Sequence, residues 1–115
     1  MKVNKKVKGD EGEKRALNYL LAKGYTIKVK NYRCPYGEID LIAMDDNTFV
    51  FVEVKYRKSI RYGYPREAVN GYKRQKIYKT ALWYISSYQL ESNFRFDVIE
   101  ILGDQIEHIV DAFQV

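Results

Sequence analysis

An apolar run, Phe49-Val50-Phe51-Val52, ends in Glu53-Val54-Lys55 and follows Gly37-Glu38-Ile39-Asp40 across a short acidic turn; no other part of the chain restricts its fold as tightly. On a strand, alternate side chains share a face, so Glu53 and Lys55 point one way and Val54 the other. A carboxylate and an ammonium at the end of a buried strand cost free energy unless a function retains them. Phosphodiester hydrolysis uses that set: a carboxylate to hold a divalent cation, and a cation to position the attacking water or stabilise the phosphorane charge.

The turn predicts a register. Asp45-Asp46-Asn47 suits a tight hairpin, because Asp and Asn tolerate left-handed conformations. With Asp46 and Asn47 in the loop, Asp45 pairs with Thr48, which sets Asp40 directly across from Glu53 and Glu38 across from Lys55. Opposed Cβ atoms on one face lie roughly 4.5–5.5 Å apart, and like charges there repel. A divalent cation turns the Asp40–Glu53 repulsion into shared ligation. The plain alternative is a solvated hairpin face with an incidental Glu38–Lys55 ion pair. It fits poorly, since both strands are too apolar to be solvated on either side.

At 115 residues the chain is expected to form a single domain over 1–115, with residues 1–8 a basic, flexible arm. A net charge of +5 favours a polyanionic partner. Eleven tyrosines are many for this length; packing accounts for them more simply than base stacking. The single cysteine, Cys34, excludes an internal disulfide, and with one histidine, His108, zinc ligation is disfavoured. The basic amino terminus leads into Gly9-Asp10-Glu11 rather than an apolar stretch, and no segment has membrane-spanning length, so a cytoplasmic protein without membrane contact is expected.

A helix is predicted from about Asp10 to Gly24, its apolar stripe formed by Ala16, Leu17, Leu20 and Leu21. Glu13 falls on that stripe. A glutamate there is either satisfied at the helix start or aimed into a site, and the site reading is preferred. Tyr25–Tyr32 reads as a strand and Arg33–Gly37 as the turn into the hairpin. A basic, aromatic loop over Tyr56–Pro65 precedes a second helix, from Arg66 or Tyr72 to Leu90. Arg57, Lys58 and Arg61 in the loop, with Lys73, Arg74 and Lys76 in the helix, form a candidate phosphate-binding rim. A strand over Phe94–Leu102, with Asp97 a strand-end or salt-bridge residue, is followed by a short strand or helix over Ile106–Phe113. The order α-β-β-β-α-β-β predicts an α/β fold, a small mixed sheet with helices on its faces.

Asp40 followed by Glu53-Val54-Lys55 is similar to the PD-(D/E)XK signature of restriction-endonuclease-like nucleases, with Ile39 where a proline is usual. A wider match covers most of the chain. Gly12-Glu13, Tyr19-Leu20, Asn31-Tyr32-Arg33, Gly37 through Ala43, Phe51 through Arg57, Gly63-Tyr64-Pro65 and Arg95-Phe96-Asp97-Val98 resemble the bacterial YraN family. That family is assigned to the restriction-endonuclease-like fold, near archaeal Holliday-junction resolvases. The resemblance implies that fold in three layers, with Glu13, Asp40 and Glu53 as acidic site residues and Lys55 as the catalytic lysine.

The resulting expectation is a Mg²⁺- (or Mn²⁺-) dependent DNA endonuclease, acting on branched or recombining DNA. Asp40, Glu53 and the Val54 carbonyl hold the metal. Lys55 orients the water, and Glu13 acts through a water or a second metal. The rim binds phosphates without reading sequence, and junction resolution would call for a homodimer. The alternatives are a nucleic-acid-binding or partner-recruiting module whose nuclease site is vestigial, and a structural subunit of a repair complex.

Overall fold

A computed structural model describes residues 5–57 and 71–114, with the backbone alone for residues 5–10 and Arg57. In chain order the elements are α1 (Lys5–Ala22), β1 (Thr26–Cys34), β2 (Gly37–Asp45), β3 (Thr48–Arg57), α2 (Gly71–Ser87), β4 (Asn93–Leu102) and β5 (Gln105–Ile109). The element order is the expected one. Two boundaries move. The first helix begins at Lys5, so residues 5–8 of the expected arm are helical. The second is described from Gly71, where the described residues resume, and ends at Ser87, with Leu90 closing it as an amide donor to the Ile85 carbonyl at 3.0 Å. Gly24, at φ +93°, ends α1 in the left-handed conformation that glycine adopts without penalty, and Tyr25 N donates back to Leu20 O.

The five strands lie in sequence order in one sheet. All neighbours are antiparallel except β3 and β4, which run parallel and are joined by the crossover through α2. Two apolar clusters sit on opposite faces. Ala16 and Leu20 of α1 pack on Leu41, Ala43, Val50, Val52, Ile99 and Ile101. Ile77, Ala81 and Tyr84 of α2 pack on Ile39, Ile42, Phe49, Phe51, Phe96 and Val98. Alternation along β3 and β4 therefore feeds both helices from one set of strands, and the molecule is a three-layer α/β fold.

The hairpin register holds from Asp45↔Thr48 to Leu41↔Val52. Asp46 sits in its turn at φ +52°, the conformation for which the Asp-Asn pair was read. The ladder then stops. Strict alternation would place Ile39 and Leu41 on one face, yet Ile39 joins the α2-side cluster and Leu41 the α1-side cluster. The phase change falls at Asp40, and across from it Asn31 adopts φ +54°, between the pairs Lys30↔Leu41 and Tyr32↔Ile39. This irregularity swings the start of β2 away from the end of β3 and opens a cleft between them.

Asp97 is fully buried and is more than a strand-end residue. Its oxygens accept from Arg95 Nε at 3.0 Å and from the Asp111 amide at 2.9 Å, and lie 2.7 Å from His108 Nε2. Arg95 continues to Asp45 and to the Tyr25 hydroxyl, so one carboxylate ties β4 to β5, the hairpin turn and the end of α1.

Candidate active site

The cleft opened by the splay of β2 from β3 is lined by Gly37, Glu38, Asp40, Glu53, Lys73, Lys76 and Ile77 and encloses about 340 Å³. Asp40 does not form a ladder pair with Glu53. Its Oδ2 instead accepts the Val54 amide at 2.7 Å, replacing the backbone acceptor lost where the strands part. The expected Glu38–Lys55 opposition is also absent. Glu38 lies across from Arg33 and pairs with its Nε at 2.9 Å. The reason is the same phase change, since a shift of one residue re-aims every side chain beyond it.

Carboxylates converge in place of that pairing. Glu13, Glu38 and Asp40 each present an oxygen within 4.8 Å of the others. Glu13 comes from α1 and lines a neighbouring cavity with Asn31 and Leu41, meeting the cleft only through Glu38 and Asp40. With the Asn31 side-chain nitrogen facing it, the Asn31 amide donates to both Glu13 oxygens, at 2.9 and 3.2 Å. Burial drives the Asp40 carboxyl up to about 8, the neighbouring Glu53 and Glu13 charges push the same way, and the Val54 amide opposes them. Crowded acids of this kind are what a bound cation relieves.

Glu53 is buried and held by two ammoniums, Lys73 Nζ at 2.6 Å and Lys55 Nζ at 3.6 Å from the same oxygen. Glu53 and Lys55 thus share a face as read from the sequence, and Val54 packs on the opposite, α1 side. Burial lowers the Lys55 pKa, with Lys73 beside it adding to the effect. For Lys73 burial acts downward too, but the ion pair with Glu53 outweighs it and leaves its pKa raised.

The structure divides the expected phosphate rim. Lys73 faces Glu53 and Lys76 lines the cleft, whereas the Arg74 guanidinium lies 5.4 Å from the centroid of the Phe113 ring, off the cleft. Arg57 ends β3 with its backbone alone described, and Lys58 and Arg61 lie outside the described residues. Sequence reasoning missed Glu38 as a member of the acid group, Lys73 as the partner of Glu53, and Asn31 as the holder of Glu13. Glu38 carried a signal, since it stands two residues before Asp40 on one strand.

The donors gathered here are all carboxylate oxygens, the ligand type that Mg²⁺ and Mn²⁺ prefer. Adjacent oxygens around a six-coordinate Mg²⁺ lie about 3 Å apart and opposite ones about 4 Å, given its ~2.1 Å bonds. In donor type the acid group suits a hard divalent cation, and oxygens within 4.8 Å of one another need only a small closure to reach that spacing. No helix among the described residues is long and apolar enough to cross a membrane.

The family model described as uncharacterised protein family UPF0102 matches residues 12–101. A UPF0102 protein of Thermodesulfovibrio yellowstonii is 54% identical over 105 residues, covering 91% of this chain and 94% of that protein. A UPF0102 protein of Clostridioides difficile is 51% identical over 114 residues, covering 96% and 100%. A third, from Persephonella marina, is 44% identical over 110 residues, with 95% of each chain covered.

Proposed function

The chain belongs to the UPF0102 family, and from that premise we propose that it is a divalent-metal-dependent deoxyribonuclease of the PD-(D/E)XK type, acting on branched or recombining DNA. One observation carries this reading: Glu38 and Asp40 share a cleft with Glu53 and its partner Lys73, and Glu13 from α1 brings a third carboxylate within 4.8 Å of that pair. Three-layer architecture around a forked hairpin, with the Asp40 and Glu53-Val54-Lys55 spacing, supports the restriction-endonuclease-like assignment by analogy.

In this reading Asp40, with Glu13 and Glu38, holds Mg²⁺ or Mn²⁺, and Glu53 and the Val54 carbonyl stand at the same cleft as further oxygen donors. The bound ion supplies Lewis acidity toward a phosphoryl oxygen and lowers the pKa of a coordinated water. Lys55 Nζ orients the attacking water and, when charged, stabilises the developing phosphorane. Lys73 Nζ fixes the Glu53 carboxylate. Asn31 fixes Glu13. Lys76 at the cleft mouth binds backbone phosphate without reading sequence.

A second reading has its own observation. Glu53 is occupied by two lysines, the arrangement expected of a nucleic-acid-binding or partner-recruiting module whose nuclease site is vestigial. A cleavage screen over duplex, single-stranded, flap and four-way DNA, with Mg²⁺ and with Mn²⁺, separates the two. The nuclease reading expects metal-dependent cleavage that falls by ~10²–10³ in Asp40→Asn, Glu53→Gln and Lys55→Gln. It also expects Mg²⁺ or Mn²⁺ to raise the melting temperature of the parent but not of Asp40→Asn. Absence of cleavage and of any metal-induced shift, with DNA binding unaffected by EDTA, would establish the module instead.

A further inference from the structure

Beyond the cleft, α2 carries a stripe of which the proposed chemistry uses Lys76 alone. Tyr72, Lys76, Lys79 and Trp83 recur at spacings of four, three and four residues, so they lie along one face of the helix, away from the buried Ile77, Ala81 and Tyr84. Tyr36, from the turn between β1 and β2, meets the end of this stripe edge-on, its ring centroid 5.7 Å from that of Trp83. Together with Lys79, Leu82, Ser86 and Ser87 these two rings line an open cavity of about 600 Å³. Both rings remain accessible, Tyr36 at 48% and Trp83 at 42% of their full exposure. The cations stand on the aromatics: Lys79 Nζ is 6.0 Å from the centroid of the Tyr36 ring, and Lys76 Nζ 5.0 Å from that of Tyr72.

Two features identify what this surface suits. Aromatic faces interleaved with lysines offer stacking and phosphate contact together, the pairing that single-stranded nucleic acid requires and duplex does not. The stripe is also continuous with the cleft, because Lys76 lines the cleft and Trp83 follows two helical turns, ~10 Å, further along α2. From this the geometry points to a stacking site for an unpaired DNA base at Tyr36 and Trp83, with the connecting backbone held by Lys79 and Lys76 on its way to the cleft. The two rings are inclined at 67°, so the base stacks on an outer ring face rather than between them. This inference rests on the nucleic-acid reading of the cleft and narrows its substrate class to DNA with a single-stranded arm beside the scissile bond.

Trp83 is the only tryptophan in the chain, so emission excited at the red edge, where the eleven tyrosines do not absorb, reports on this site alone. The whole protein would be titrated in EDTA with a thymidine oligonucleotide and with a duplex of equal length. Quenching by the single strand, and little by the duplex, is expected. Tyr36→Ala should weaken single-strand binding roughly 5- to 100-fold, the range for loss of one stacked base, and leave duplex binding within about twofold. Its salt slope should match the parent's, whereas Lys79→Gln should flatten the slope on single strands by about 0.7. Trp83→Leu, followed by anisotropy of a labelled oligonucleotide, should reproduce the Tyr36→Ala loss. Circular dichroism melts confirm that these exposed substitutions leave the fold intact. Unchanged fluorescence, equal quenching by duplex, or undiminished binding by Tyr36→Ala overturns the proposal. So does self-association, in sedimentation, that Trp83→Leu abolishes, since a second copy then occupies the groove. Binding is read without metal, so absent cleavage with intact quenching refutes the nuclease reading alone, and intact cleavage without quenching refutes this one alone.

Discussion

Asp40 accepts the Val54 amide while standing among Glu13, Glu38 and Glu53, so its ionised form is both hydrogen-bonded and repelled. The outcome is a carboxyl raised from 3.8 to about 8, which reverses the usual pH dependence of an acid. The folded state then binds a proton that the unfolded state has lost. Stability is fully present below pH ~4 and is lost as pH rises toward about 8. Asn keeps the acceptor for Val54 and removes the charge. Asp40→Asn should therefore melt higher than the parent at pH 8–9 in EDTA, with the gain vanishing near pH 4, as thermal melts across that range would record. Asp97 behaves oppositely. Burial disfavours its charge, but His108, Arg95 and the Asp111 amide outweigh burial and hold the carboxyl below 3.8. Its contribution is present above 3.8 and is lost as pH falls from there through the lower folded-state value. Asp97→Asn removes the buried charge that Arg95 and His108 face and leaves the half-buried Arg95 with Asp45 as its ion partner, and a loss of ~3 kcal/mol is expected in urea titrations at pH 7, with unchanged m-value.

At the scale of elements, two glycines separate fold from site. Gly37 opens β2 at φ +155°, and a Cβ there would stand 3.2 Å from Thr80 Oγ1, which is itself bonded to the Lys76 carbonyl. Gly37→Ala should thus push α2 off the sheet at the cleft and cost ~1–2 kcal/mol. Gly12, inside α1, would bring a Cβ no nearer than 3.6 Å to Tyr56, an ordinary contact. Gly12→Ala should instead gain up to ~1 kcal/mol from helix propensity, and parallel urea titrations would show the opposite signs. The same elements show how much was legible beforehand. The hairpin register followed from the Asp-Asn turn and the period of the apolar residues, both local signals, and so did the order of elements. The phase change at Asp40 was not legible, because it depends on the conformation of Asn31 in a neighbouring strand. Lys73 at Glu53 and His108 at Asp97 are brought together by the crossover and by the β4–β5 pairing, over separations that no local pattern encodes. Glu38 was set across from Lys55 because the register was extended past the point where the strands diverge.

Across the whole molecule, charge is segregated. The chain carries a net +5, yet three carboxylates line one cleft and a fourth, Glu13, stands beside two of them, so positive charge predominates over the remaining surface. Such a field draws a polyanion in at long range and leaves the cleft itself receptive to cations, and the pull weakens as salt shortens the Debye length. The parallel pairing of β3 with β4 has a further, kinetic consequence. Strands β1 to β3 form a meander closed by short turns, but Thr48 meets Asn93 forty-five residues away, after the whole of α2. Short loops close at small entropic cost and long ones at more, so the meander should organise first and β4 dock later. Val50→Ala, within the meander, should slow refolding. Ile99→Val, buried on β4, should chiefly hasten unfolding, and stopped-flow chevrons on the two variants would distinguish these effects. Asp40 and Glu53 belong to the early-forming part, and Lys73 arrives only with the crossover. During refolding the acids then face one another with Lys55 alone beside them until Lys73 arrives, and added salt or mild acid should speed the late step by relieving that transient repulsion.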